Sequence, residues 1–491
     1  MTAPRWRPRA LSRLIDKRRY VKESLRQLRQ RDSSANEETM LPQNEKIRLS
    51  AIGAVEFYSP AHIDLLARRL QEFGWASDDP ISSTRDPGRW LERTQQSALS
   101  GGWITLGPVL RSKEDGNHHL RHVRPLPPNV YYATGQLRQL TPSLFCIVLW
   151  FLCDEAYAYA PSDILMDKFT TYAEDYRGGV IYRGPENQKI DKVREFRMAH
   201  DASITHWFRR HLPGVFSLHK GSFVPTAEVL VSKNVQLFPM KDELGDTRKT
   251  YLDVLGVWSS HRSWYRKSMR GFRIGLSDNS FLRDGHPFTI AVADEDINNL
   301  AKRLNYGGSS TSILCIKEDI SEALCVHGVV SLLDRYAGTI REIRESGVFR
   351  SKSRRTVLRR MRELSEGISS SADIMSVTAE LEEYANSPFF GRNLRSFNSC
   401  QPQLYGKERT LAEHLGESIR ARTKWLRLAE ESLRTHLAQH GTLLGGRETL
   451  VLTWLVVALT VIVLLSTVIA QYAQIRSALD QLIALMAGWW H

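Results

Sequence analysis

This sequence contains no local pattern that spells out a catalytic site. It has no GxxxxGK[ST] loop to cradle phosphates and no GxSxG elbow to expose a serine. Its five cysteines, Cys146, Cys153, Cys315, Cys325 and Cys400, include no CxxC pair of the kind that binds zinc. Their number is odd and several sit in apolar strings, where a reduced thiol behaves as a small hydrophobe. Also missing is a secretory leader, since Met1 to Arg31 is strongly basic and has no continuous apolar stretch. The large N-terminal portion is therefore expected to remain on the cytoplasmic side.

The most telling absence is of charge. The run TLVLTWLVVALTVIVLLSTVIA, Thr449–Ala470, is 22 residues long and carries no ionisable side chain. As a helix it would extend about 33 Å, enough to cross a hydrocarbon core of roughly 30 Å. A lone strand cannot satisfy its backbone in lipid, so a single transmembrane helix is expected. Six basic residues from Arg420 to Arg447 precede it and only Arg476 follows, which agrees with a cytoplasmic N-terminal portion. In the tail, Trp489 and Trp490 suit an interfacial helix.

What the sequence does contain is a folded protein's composition, with 42% hydrophobic and 25% charged residues and a formal net charge of +13. That charge is uneven. Between Arg5 and Arg31 eleven Lys or Arg face only Asp16 and Glu23. Leu11, Leu14, Ile15, Val21, Leu25 and Leu28 recur at helical spacing, so residues 1–32 read as a basic amphipathic arm. Such an arm lies on an anionic leaflet or packs on the protein itself; nucleic acid is not the expected partner. Residues 33–48 read as a linker, 49–349 as an α/β region of one or two domains, and 350–448 as a helical stalk. Residues 449–470 form the span and 471–491 a short interfacial tail. The fold class expected is mixed α/β (or α+β), followed by the stalk and one C-terminal transmembrane helix.

Within the α/β region, Ala51–Tyr58 reads as a strand and is followed by a helix with Ser59 as N-cap, Pro60 in its first turn and Gly74 at its end. Trp90–Ser100 reads as a helix and Gly102–Val109 as a strand. The apolar run Leu144–Cys153 is ten residues, too short for a bilayer, and is either a central strand or a buried helix. Further strands are expected at Gly179–Tyr182, Glu228–Phe238, Pro287–Ala293 and Thr311–Lys317. Helices are expected at Asp191–Arg210, Glu295–Leu304 and Val330–Arg344. In the stalk, Gly391–Tyr405 reads as a loop and a long helix follows from about Lys407. Its stripe Ile419, Leu426 and Leu433 steps by seven, as do Thr453, Thr460 and Thr467 in the span, which points to self-association.

Single candidates for chemistry resolve into ordinary roles. Asp154 and Glu155 close an apolar run as a magnesium-holding pair would, but no phosphate loop precedes them, so a surface strand end is expected. His118, His119 and His122 with Asp115 are spaced like metal ligands, yet the surrounding glycine, asparagine and prolines read as a polar loop. His200, His206 and His211 point in diverging directions on one helix and are expected near a surface with Arg209 and Arg210. Ser260 and His261 are adjacent and therefore diverge. Asp294, Glu295 and Asp296 mark a helix start, and Gly307–Ser310 a turn.

The order of α/β portion, long helices and terminal span is similar to that of pentameric magnesium channels. Those carry a second span and a Gly-Met-Asn signature after the first, whereas Ala470 is followed by Gln471, Tyr472 and Ala473, so membership is not assigned. No metal, cofactor or catalytic residue is assigned. The function expected is a membrane-tethered cytoplasmic binding, scaffold or effector module, with the lipid bilayer, a protein partner and a homo-oligomer as the expected contacts. A membrane-bound enzyme with a site assembled from distant residues is the alternative, and an oligomeric channel subunit the third.

Overall fold

A computed structural model describes residues 8–75, 87–95, 102–112, 122–176, 179–219, 221–240, 243, 250–258, 262–276, 288–304, 315–345, 377–401, 408–432, 435 and 453–461. The chain divides into two compact units, one drawn from Met1–Gly338 and Ser365–Leu426, the other from Thr339–Leu364 and Arg427–His491. The first unit is mixed α/β.

Two helices, α1 (Pro8–Arg29) and α2 (Asp32–Glu38), precede the central strand β1 (Ile47–Tyr58). Then come α3 (Pro60–Phe73), α4 (Pro87–Gln95), β2 (Trp103–Leu110), β3 (His122–Val123), β4 (Val130–Thr141) and β5 (Leu144–Cys153). Short helices α5 (Glu155–Ala158) and α6 (Ala160–Met166) lead to a separate hairpin, β6 (Tyr172–Tyr176) with β7 (Gly179–Arg183). The 27-residue α7 (Pro185–His211) is followed by β8 (Thr226–Ser232), α8 (Thr250–Val254), β9 (Ser263–Arg266), β10 (Met269–Gly275) and β11 (Phe288–Ala293). After α9 (Asp294–Arg303) and the 29-residue α10 (Lys317–Glu345) come α11 (377–386), β12 (Phe397–Ser399), α12 (411–432) and α13 (453–461).

Ten strands form one sheet in the order β12-β9-β10-β11-β8-β1-β5-β4-β2-β3. Most neighbours are antiparallel; β8 with β11 and β2 with β3 are parallel. Every residue of β5 and β8 is buried, as is all of β1 except the half-buried Arg48. Such continuous burial means a helix on each face. Adjacent residues of β5 show which helices these are. Phe151 meets Trp207 and Phe208 of α7, with ring centroids 5.4 and 6.3 Å away. Trp150 faces the other way, and its indole donates to Ser321 Oγ of α10 at 2.9 Å. The run whose identity the sequence left open is thus a strand, because it lies at the middle of a three-layer sandwich.

Local signals around α3 hold. Pro60 opens the helix and Gly74 ends it at φ 76°, a left-handed position that glycine takes without a Cβ penalty. Ser59 does not cap, however; its hydroxyl pairs with His62 Nδ1 at 2.8 Å.

Three expectations are corrected. Residues 33–48 are not a plain linker, because α2 falls there and its polar side chains are used internally. The Asp32 carboxylate accepts from the Thr171 backbone at 2.8 Å, and Asn36 exchanges two hydrogen bonds with the Phe169 backbone. The expected strand Thr311–Lys317 is, in its described part, a 3-10 turn at 315–316 running into α10. Glu318 and Asp319 in that helix's first turn favour the helical start. Nor does the expected stalk stand apart throughout. β12 pairs with β9 in the sheet, and Leu411, Leu415, Ile419 and Leu426 of α12 are buried. Arg422 of α12 pairs with Asp334 of α10 through both carboxylate oxygens, at 2.6 and 3.1 Å. No helix among the described residues is long and apolar enough to cross a membrane. Of the expected span only α13 is described, and Leu433 and Thr467 lie outside the described residues.

A buried carboxylate fastens the chain after α7 to the central strand. Glu56 of β1 accepts backbone N–H groups from Phe216 at 2.8 Å, Ser217 at 2.7 Å and its neighbour Phe57 at 2.9 Å. Burial pushes its proton affinity up while those donors pull it down. The fit requires Gly214, where a Cβ would lie 2.5 Å from the Phe57 carbonyl oxygen. Glu56→Gln turns one acceptor into a donor facing a buried N–H, so it is expected to lower unfolding stability by about 2–3 kcal/mol. Chemical denaturation of the two proteins measures this; an unchanged midpoint contradicts the role given to Glu56.

Candidate functional site

The face of α7 that meets the sheet is not uniformly apolar. Lys189, Val193, His200, Asp201, Ile204, Trp207 and Phe208 are buried along it, with Arg197 among them. Ridge spacing of three and four residues therefore brings ionisable groups into an apolar layer. Arg197, His200 and Asp201 meet Glu228, which occupies β8 opposite Ile52 of β1 and Thr289 of β11.

Arg197 grips Glu228 with two nitrogens. Nε lies 3.1 and 3.0 Å from the two carboxylate oxygens and Nη2 lies 2.9 Å from Oε2. The same Nη2 donates to the Leu255 carbonyl at 3.0 Å. Thr226, two residues before Glu228, donates its hydroxyl to Asp201 Oδ1 at 2.7 Å. His200 lies between the acids, with Nε2 3.5 Å from both Asp201 Oδ1 and Glu228 Oε1, and neither ring nitrogen makes a hydrogen bond. The side chains of His200, Asp201 and Glu228 are only 4%, 7% and 2% exposed.

Burial dominates the chemistry here. It lowers the His200 pKa to about 4 despite Glu228, and raises that of Asp201 to about 7 despite the Thr226 hydrogen bond. Cys153 and Tyr157, close enough to feel the Glu228 charge, are likewise pushed up by desolvation. Near neutral pH the cluster therefore holds an uncharged imidazole beside an aspartate that burial disposes to keep its proton. Although one nitrogen and two oxygens converge, the arrangement suits a guanidinium and a hydroxyl more than a metal, because Arg197 and Thr226 already occupy the oxygens. Among the described residues no group of three or more His, Cys, Asp or Glu is placed to hold a metal ion.

A second polar cluster lies on the opposite face, where α10 begins. Arg138 of β4 donates to Gln136 at 2.8 Å, and Gln136 donates to Glu318 at 2.6 Å. Lys317 reaches Thr134 at 3.4 Å, and Asp319 pairs with Arg266 of β9. Directly beneath, Cys146 of β5 and Cys325 of α10 place their sulfurs 3.4 Å apart.

The residues singled out by sequence are scattered. Asp154 pairs with Arg111 at 2.7 Å and Glu155 opens α5, a surface strand end as expected. His206 is exposed and His211 packs on Trp207 with centroids 5.0 Å apart, whereas His200 is buried rather than near a surface. It is buried because it lies on the sheet side of α7. Asp294, Glu295 and Asp296 do form the first turn of α9, and Asp296 also accepts from Gly271 N at 2.8 Å. His122 begins β3; Asp115, His118, His119, Ser260, His261 and Gly307–Ser310 lie outside the described residues. Arg197, Asp201 and Glu228 were missed. Polar residues four apart on an otherwise apolar helix face were the available signal.

No known protein family, no curated protein and no solved structure matches this chain.

The two shifted groups give opposite pH dependences. Folded Asp201 keeps its proton to about pH 7, while an unfolded aspartate releases it near 3.8, so this group's stabilisation falls as pH rises between them. Folded His200 takes a proton only near 4 against 6.5 when unfolded, so its contribution falls as pH drops through that interval. Asp201→Asn removes the first slope alone. Its stability relative to wild type should therefore rise with pH up to about 7, by as much as ~1.4 kcal/mol per pH unit. Denaturation at stepped pH checks this, and a pH-independent difference would refute the buried, proton-holding Asp201.

Proposed function

We propose that this chain is a membrane-tethered binding module, held in a bilayer by a helix over residues 449–470, with its α/β portion on the cytoplasmic side binding a protein partner. The observation that carries the tether is the exposure of α13. All nine of its residues are exposed, including Trp454 at 72%, Val456 at 60% and Leu459 at 57%. Soluble surfaces rarely gather so much contiguous apolar area. The Thr460 hydroxyl donates to the Val456 carbonyl at 2.8 Å, so the helix satisfies that polar group internally, as lipid requires. The uncharged sequence on both sides of α13 supplies the remaining length.

Binding as the role of the α/β portion rests on where its ionisable groups lie. His200 and Asp201 on α7 are buried against the sheet, with Asp201 tied to Thr226 of β8, which serves the fold and leaves recognition to the surface. An enzyme with a site assembled from distant residues is the second reading, and the His200, Asp201 and Glu228 cluster is the observation that favours it. The closed packing around that cluster weighs against it. As for self-association, Ile419 and Leu426 are buried in the chain itself, so the threonine face of the span is what remains for a second copy.

Membrane fractions washed at alkaline pH test the tether, because that wash strips peripheral proteins and leaves spanning ones. The wild-type chain should stay in the pellet and be released by detergent. Val457→Arg/Leu459→Arg places two charges at mid-span, each costing roughly 2.5–3.5 kcal/mol, and should move the chain to the supernatant. Release of the wild-type chain by the wash alone would overturn the proposal.

A further inference from the structure

The sulfurs of Cys146 and Cys325 touch at the centre of the first unit. They are 3.4 Å apart and nearly inaccessible, at 0% and 1% residue exposure, and they come from different layers, one from β5 and one from α10. A disulfide needs about 2.05 Å between sulfurs, so closing the bond requires about 1.4 Å of approach. Side-chain rotation and a slight shift of α10 are movements of that scale.

The surroundings differ from those of an inert buried thiol. Arg138 lies directly across from Cys146 in the β4–β5 register, and its charge favours the thiolate form of both sulfurs. The guanidinium is held by Gln136 at 2.8 Å and by a longer 3.5 Å contact with Glu318. The two thiols are pushed apart in acidity. Desolvation and its neighbour raise Cys146, whereas the hydrogen bond from Cys146 and the charge of Arg138 outweigh desolvation at Cys325 and lower it. Glu322, one turn earlier on α10, is fixed by the Asn393 N–H at 3.0 Å. A thiolate beside a cation with a second thiol in contact is the arrangement of a nucleophilic and a resolving cysteine.

We infer that Cys146 and Cys325 form a reversible dithiol–disulfide couple, oxidised by a small peroxide, that staples α10 to the middle of the sheet. The Cys325 thiolate attacks one peroxide oxygen and breaks the O–O bond, giving a sulfenic acid and a hydroxide that leaves as water after protonation. The Cys146 sulfur then displaces the sulfenic hydroxyl, forming the S–S bond; its own proton completes the second water. Overall two thiols and one hydrogen peroxide give one disulfide and two waters, a two-electron oxidation of sulfur. A dithiol reductant reverses it by thiol–disulfide exchange. With 0% and 1% exposure both sulfurs are reached through local opening of the unit, by peroxide and by reductant alike. The bridge joins positions separated by 179 residues of chain, so it restricts the unfolded state strongly and stabilises the folded one. This inference does not depend on the membrane reading.

The test uses the full chain in detergent micelles, treated with equimolar hydrogen peroxide, alkylated and digested without reduction. Mass spectrometry should find one linked peptide pair, Cys146 to Cys325, that disappears on treatment with dithiothreitol, together with a raised melting temperature of the oxidised protein. In Cys146→Ser the reaction should stop at a sulfenic acid on Cys325, trapped by dimedone, while Cys325→Ser should leave Cys146 unoxidised. Wild-type protein in which Cys315, the half-buried thiol, is oxidised while Cys146 and Cys325 stay free and alkylate after unfolding would overturn the inference. Because the decisive measurement is on the wild-type chain, it stands even if a serine variant fails to fold.

Discussion

The constraint on which this structure depends is the burial of β1 and its neighbours on both faces. A strand covered on one side can turn its polar residues to water, but these cannot. Every ionisable group that enters the central layer has to find a partner within the protein or change its protonation. Glu56 finds backbone N–H groups, Glu228 finds Arg197, and Asp201 finds Thr226 while holding its proton to about pH 7. The two polar clusters on opposite faces are therefore consequences of one architectural choice.

The same constraint explains the lengths of the helices. Covering a wide sheet takes long rods, and α7 and α10 have 27 and 29 residues. Each carries polar side chains at the level of the strands it crosses. Trp150 illustrates the need for matching, since its indole N–H would be stranded in the buried layer without Ser321. Replacing such a pair on one side only leaves an unsatisfied buried group, which costs about 1–3 kcal/mol. On the α7 side the buried Arg273 is treated alike, donating to the Phe238 carbonyl at 2.6 Å and to Glu243 at 2.7 Å. Phe238 is held at φ 53°, unusual for an aromatic residue, and its N–H is fixed by the Val257 carbonyl. Its ring covers Gly275, where no side chain would fit.

What could be read in advance was local. Pro60 and Gly74 bracketed a helix, the ten apolar residues of β5 announced a buried segment, and the acidic triplet at Asp294 marked a helix start. The hidden parts were those that depend on distant residues. Nothing near Asp32 or Asn36 reveals that their side chains serve the backbone at 169–171, so a helix passed as a linker. β12 is three residues long and exists only because β9 offers it an edge. In α12 the apolar stripe was visible, but periodicity cannot say whether Ile419 faces a second copy or the protein's own interior. The cluster on α7 needed Glu228, 27 residues beyond Asp201, and the sulfur pair needed a contact across 179 residues.

The central proposal is that this chain, with its inward-looking α/β unit, acts from a membrane through the apolar segment 449–470 that contains α13. Spin labels placed one at a time at positions 453–461 in the bilayer-reconstituted protein test it most directly, by comparing collisions with oxygen and with a water-soluble nickel complex. A spanning helix predicts high oxygen and low nickel accessibility at every position, deepening toward residue 460. Nickel accessibility at all positions, or at every third or fourth one as on a helix lying at a water interface, would contradict it.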